Sequence, residues 1–203
     1  MKSKLLIIII SVYILDSCTN ETKSKFIESQ GIVPIDSINY RNTHDTIFVD
    51  KACVGMTISK LKTIYKDLIF VEEPMFFYGI DSEAKGLLLK KDKKPFIFVW
   101  TKENSDTING ITILTDQIII DKDVHVGITV KDFFDKYKNA KLQIDAISNE
   151  TEFGFVMNGL NYRVEFLTTD SSRVGLYDIN QVEPEFIKLK RLDAKVDRIG
   201  VYN

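Results

Sequence analysis

Thr46-Ile47-Phe48-Val49-Asp50-Lys51-Ala52-Cys53-Val54-Gly55-Met56-Thr57-Ile58 and Ile118-Ile119-Ile120-Asp121-Lys122-Asp123-Val124-His125-Val126-Gly127-Ile128-Thr129-Val130 carry one pattern twice, 72 residues apart. Gly55 meets Gly127, Thr57 meets Thr129, and Tyr65 meets Tyr137. In each stretch a β-branched run stops at a glycine, a residue free to turn the chain. The threonine two residues later offers its hydroxyl to cap a helix. The helix that follows is amphipathic, with Ile58, Leu61, Ile64 and Tyr65 on one face in the first case. Val130, Phe133, Phe134 and Tyr137 do the same in the second.

Outward from these helix starts, β-branched and aromatic segments predict strands at 86–89, 95–100 and 111–114 in the first half and at 153–157, 162–167 and 197–202 in the second. Asn158-Gly159 reads as a tight hairpin turn, and Lys90-Lys91-Asp92-Lys93-Lys94 as a longer, basic one. An insertion at 168–195 contains Pro184-Glu185-Phe186-Ile187-Lys188-Leu189-Lys190, which reads as a short helix with proline in its first turn. The expected fold class is α+β: two tandem repeats at 46–117 and 118–203. Each would be a leading strand or extended segment, a short helix and an antiparallel meander, with the helices on one sheet face.

The chain begins with Lys2 and Lys4, then eleven mostly apolar residues, Leu5 to Leu15. That is the layout of a secretory signal, and the apolar run is shorter than the roughly 20 residues that span a bilayer. Leu15-Asp16-Ser17-Cys18 resembles the lipid-attachment motif of bacterial lipoproteins, with Asp16 departing from the small residue usual there. The resemblance implies cleavage after Ser17 (signal peptide 1–17) and palmitate-type acylation of Cys18. Residues 18–45 then form the lipidated cysteine, a polar tether and an N-terminal segment. The protein would sit in the cell envelope, bound to a membrane through its lipid. Cys53 is then left without an intramolecular partner and reads as a small buried apolar residue.

The 203 residues carry a formal charge of −2, and the mature part is near −3, with signs mixed along the chain. Nothing in that balance attracts nucleic acid. No catalytic signature stands out. There is no nucleophile elbow and no phosphate-cradling glycine loop. The two histidines, His44 and His125, show no zinc-type spacing. Asp121, Asp123 and His125 share one strand face by alternation, but their counterparts Val49, Lys51 and Cys53 do not repeat the chemistry, so a solvated edge is the simpler reading. No cofactor, metal or enzymatic activity is expected.

The Gly-x-Thr helix start, the meander and the tandem arrangement on a lipoprotein resemble β-lactamase-inhibitor-protein-like folds and the small outer-membrane assembly lipoproteins. The resemblance implies a module that binds another protein through its sheet. The candidate surface is the face carrying Ile97, Val99, Leu114 and Tyr202, rimmed by Arg163 and Glu165. A second candidate is Phe76-Phe77-Tyr78 within Glu72-Glu73-Pro74-Met75-Phe76-Phe77-Tyr78-Gly79. Packing inside the fold competes with both readings. The leading function is a lipid-anchored envelope module with a protein partner. The alternatives are an inhibitor of a secreted hydrolase, with Thr168 to Val174 as the plugging loop, and an envelope hydrolase with an unrecognised site.

Overall fold

The computed structural model describes residues 38–39, 41–43, 46–120, 123–146, 150–156, 162–178 and 184–202. The signal segment, Cys18, His44, Asp121 and Asn158-Gly159 lie outside them.

In chain order the elements begin with β1 (Ile38–Asn39), β2 (Arg41–Thr43), β3 (Thr46–Val49), β4 (Ala52–Cys53) and helix α1 (Ile58–Ile64). Strand β5 (Ile69–Pro74), a 3-10 turn (Met75–Tyr78), β6 (Lys85–Lys91), β7 (Lys94–Thr101), β8 (Ile108–Ile113) and β9 (Ile118–Ile119) follow. After helix α2 (Val130–Lys136) come β10 (Ala140–Ile144), β11 (Thr151–Val156), β12 (Tyr162–Leu167), β13 (Gly175–Asp178), β14 (Glu185–Leu189) and β15 (Arg198–Tyr202). One antiparallel sheet dominates, ordered β10-β11-β12-β15-β8-β7-β6-β5.

The fold class expected from the sequence is therefore corrected. Half of the described residues are strand, the same residues hold two short helices, and eight strands make a single sheet, so the protein is mainly β and not a helix-covered α+β repeat. Seven-residue helices are too short to form a layer of their own. Each acts as a plug: Tyr65 at the end of α1 meets Phe96 edge-on at 6.3 Å, and Tyr137 at the end of α2 accepts a 2.8 Å hydrogen bond from the Tyr162 hydroxyl.

Both helices start alike. Gly55 and Gly127 adopt φ of +87° and +91°, a left-handed conformation that favours glycine. Thr57 then accepts from the Lys60 amide at 3.3 Å and Thr129 from the Asp132 amide at 3.1 Å. Each cap satisfies one of the donors that a helix N-terminus leaves over.

Two further expectations change. The 184–190 segment is strand β14, not a helix, because it pairs with β13 and sets Phe186 against Tyr177 and Phe134. That tertiary pairing outweighs local propensity. The basic turn is also tight: Lys91 pairs with Lys94, and Asp92 and Lys93 take φ of 51° and 65°, as in a type I′ hairpin.

The sheet buries both faces in its first half. Leu89 pairs with Ile97 and Lys90 with Pro95, so Phe96 is an extra, bulged residue. Ile97 and Val99 pair with Ile113 and Ile111, which in turn pair with Ile199 and Val201 across the sheet's middle, and all six are 0% exposed. On the opposite face, Met75, Tyr78, Leu88 and Phe98 form a cluster, with Val71, Ile80, Trp100 and Leu114 packed on it.

Candidate functional site

Alternation along β12 sends Tyr162, Val164 and Phe166 to the helix-bearing face and Arg163 and Glu165 to the other. Glu165 is 0% exposed, so its carboxylate needs partners to offset the loss of water. It has three. Arg163 Nε donates to Oε1 at 2.7 Å, the Tyr202 hydroxyl donates to the same oxygen at 3.0 Å, and Arg198 Nε donates to Oε2. The Arg163 guanidinium also lies 4.7 Å from the Phe153 ring centre and 4.8 Å from that of Tyr202. Burial, then the Glu165 charge, pushes the Tyr202 phenol well above its ordinary range.

Arg198 extends this network to the far end of the sheet. Its Nη1 donates at 2.8 Å to the carbonyl of Phe77, in the 3-10 turn. The turn closes on Gly79, whose φ is +71°. A Cβ at Gly79 would stand 2.6 Å from Arg198 Nη2, so glycine is required there twice over. Tyr78 stacks on Phe98 with centroids 3.7 Å apart and donates its hydroxyl to Glu73. Burial, with that hydrogen bond, holds the Tyr78 phenol above its ordinary range.

The turn is thus held from beneath by Arg198, Tyr78 and Met75, while its tip points out. Phe76 is 54% and Phe77 60% exposed, and their rings meet edge-to-face at 4.6 Å. Large exposed aromatics on a fixed backbone are the anchors that dominate protein interfaces, because they lose little freedom on binding.

The candidate residues named from the sequence now divide. Ile97 and Val99 are core, not a binding face, because β6 and β8 flank them and both faces of the sheet are packed there. Glu165 and Tyr78 are buried supports rather than contact residues. Leu114 packs on the Met75–Phe98 cluster. Arg163 and Tyr202 are partly exposed, tied to Glu165 and to each other, and remain at the surface of the network. Phe76 and Phe77 alone present most of their apolar area. Arg198 is the residue that sequence reasoning missed. An arginine in a terminal strand is ordinarily solvated, and only the pairing of Glu165 with Arg198 across β12 and β15 turns it inward.

Among the described residues, no group of three or more His, Cys, Asp or Glu side chains is placed to hold a metal ion. Asp123 and His125 line an open depression of about 420 Å³ with Asp132 and Asp135, and His125 Nδ1 bonds to the Val126 carbonyl at 2.8 Å. Asp123 sits in a turn at φ 61° rather than on a strand face. Cys53 is buried. In the 168–174 loop, Thr168, Arg173 and Val174 are buried, and Val174 N donates at 2.6 Å to Glu152, leaving a short exposed tip around Asp170. No described helix is long and apolar enough to cross a membrane.

No protein-family model and no curated protein matches the chain. Among solved structures it is similar to the crystal structure of the uncharacterized protein yfeY from Escherichia coli. Identity is 15%, the match covers 67% of this chain and 81% of that one, and the TM-score is 0.42. A likeness at that level says nothing of function.

Proposed function

We propose that the protein is a lipid-anchored, non-catalytic module of the cell envelope that binds another protein through the Phe76–Phe77 turn. The observation that carries the reading is that both phenylalanines are more than half exposed on a turn locked by Arg198 and Gly79. Charge around the turn supports a protein over an anionic lipid surface. Asp81 and Glu83 stand exposed beside it, while Glu72 and Glu73 lie 3.7 and 3.9 Å from Lys85 and Lys90. Exposed acids are repelled by anionic headgroups. The anchor rests on the Lys2 to Cys18 segment.

The test is photocrosslinking in intact cells with p-benzoylphenylalanine at position 83, exposed beside the turn, followed by the double variant Phe76→Ser/Phe77→Ser. The expected result is one dominant crosslinked protein, lost in the double variant at an unchanged melting temperature. Crosslinking to lipid alone, or a protein band that survives the double variant, would refute the reading. Labelling with an alkynyl palmitate, present in the wild type and absent in Cys18→Ala, checks the anchor.

A further inference from the structure

The two edges of the large sheet differ. At one, β14 lies against β10. At the other, β5 has β6 on one side and, among the described residues, no strand on its other side. No residue of β5 is fully buried, and Ile69 is 51% exposed. A strand edge of this kind is a template for another strand.

The register decides which main-chain groups look outward. Met75 N donates to the Ala84 carbonyl at 2.9 Å, which makes Met75 and Ala84 a hydrogen-bonded pair. Antiparallel pairs alternate, so Glu73–Gly86, Val71–Leu88 and Ile69–Lys90 are hydrogen-bonded too. Phe70, Glu72 and Pro74 fall in the intervening pairs, and their main-chain groups point away from β6. Proline has no N–H to offer. The outward edge is therefore an N–H and a carbonyl at Phe70 and the same at Glu72, two residues apart.

We propose that β5 pairs antiparallel with β5 of a second copy of this chain, about a two-fold axis at Val71. In that register Phe70 of each copy exchanges both main-chain bonds with Glu72 of the other, and no outward donor or acceptor of the two residues is left over. Neighbouring symmetric registers do worse. An axis at Phe70 sets Glu72 opposite Leu68, whose N–H is already given to the Tyr65 carbonyl at 2.8 Å. An axis at Glu72 brings two carboxylates face to face and sets Phe70 opposite Pro74, which lacks a donor. With the axis at Val71 the two Glu72 side chains are diagonal neighbours, and each has the Lys85 ammonium 3.7 Å away to offset the repulsion. Among the symmetric registers the axis at Val71 is thus the best matched, and the contact is isologous, as a closed dimer requires. It leaves the Phe76–Phe77 turn outside the paired residues.

Disulfide trapping of the full-length protein in intact cells tests this. Residues opposite each other in a non-hydrogen-bonded antiparallel pair have Cα atoms about 4.5 Å apart, within the range a disulfide spans. Val71→Cys should yield a dimer band on a non-reducing gel, above the wild-type background. Adding Glu72→Pro should return that band to background, whereas Glu72→Ala should not, since only proline removes the outward N–H. As a register check that needs no proline, a mixture of Ile69→Cys and Glu73→Cys chains should crosslink, and Ile69→Cys chains alone should not. Absence of a Val71→Cys dimer, its survival in Glu72→Pro, or a crosslink to a different protein would overturn the proposal. None of these outcomes bears on the Phe76–Phe77 turn, whose test is separate.

Discussion

Glu152 and Glu165 lie on adjacent strands, β11 and β12, and both are 0% exposed, yet they solve burial in opposite ways. Glu152 accepts from neutral donors, the amides of Val174 and Gly175 at 2.6 and 2.9 Å and the Tyr177 hydroxyl at 2.7 Å. It pins the start of the β13–β14 hairpin. Glu165 takes two arginines and a tyrosine, and through Arg198 it reaches a turn that lies 121 residues from that arginine in sequence. A carboxylate fed by amides organises its own neighbourhood. One fed by long cationic side chains ties distant parts of the chain together.

The contrast can be broken most forcefully at Glu165. Glu165→Ala leaves Arg198 and Arg163 without their anion and should cost about 3–5 kcal/mol, read as a large fall in the urea midpoint. The Phe77 and Gly79 amides should lose protection from hydrogen exchange in the same variant. Unchanged protection at those amides would show that the turn does not depend on the network.

Glu152→Gln is the milder counterpart. The amide keeps one acceptor oxygen but sets an NH2 against main-chain donors, at a cost of about 1–3 kcal/mol. Exchange should rise at Val174, Gly175 and along β13, and the Phe77 amide should be untouched. Equal effects at both places would erase the distinction between the two glutamates.

Alkali sharpens the comparison further. Each glutamate holds a tyrosine, Tyr177 or Tyr202, whose phenol is pushed up first by burial and then by the carboxylate. In the unfolded chain a phenol titrates near pH 10. The folded protein keeps the proton to higher pH, so its stability is full below about pH 10 and falls as pH rises above it. The slope should be about 1.4 kcal/mol per pH unit for each such tyrosine. Tyr177→Phe and Tyr202→Phe should each flatten the alkaline melting curve by about that slope. A slope unchanged by either variant would mean that the phenols ionise alike folded and unfolded.

Much of the local structure was legible. The helix starts at Thr57 and Thr129 follow from a glycine, a capping hydroxyl and an apolar stripe within a few residues of one another. The strands at β6, β7, β11, β12 and β15 announce themselves by β-branched and aromatic content. The edge strands β5 and β10 did not, because Glu72-Glu73-Pro74 and Lys141 with Gln143 dilute the pattern where only one side of the strand is hydrogen-bonded within the large sheet. Phe186 and Ile187 read equally well on a helix, and only the β13 partner makes them a strand. Alternation counted from Phe96 places Ile97 and Val99 on an outer face, but the bulge at Phe96 shifts the period, and through Ile113 and Ile111 they share the face of Val164 and Tyr162.

Contacts within a few residues were therefore set by the order of the amino acids: caps, turns and the sites of most strands. They depend on backbone geometry and on side chains a few positions apart, which the chain carries with it. Tertiary structure alone decided that eight strands join in one sheet, that Glu165 meets Arg198, and that Phe76 and Phe77 are held outward. Those outcomes turn on which strand lies beside which, and pairing between segments a hundred residues apart is a property of the whole assembled sheet.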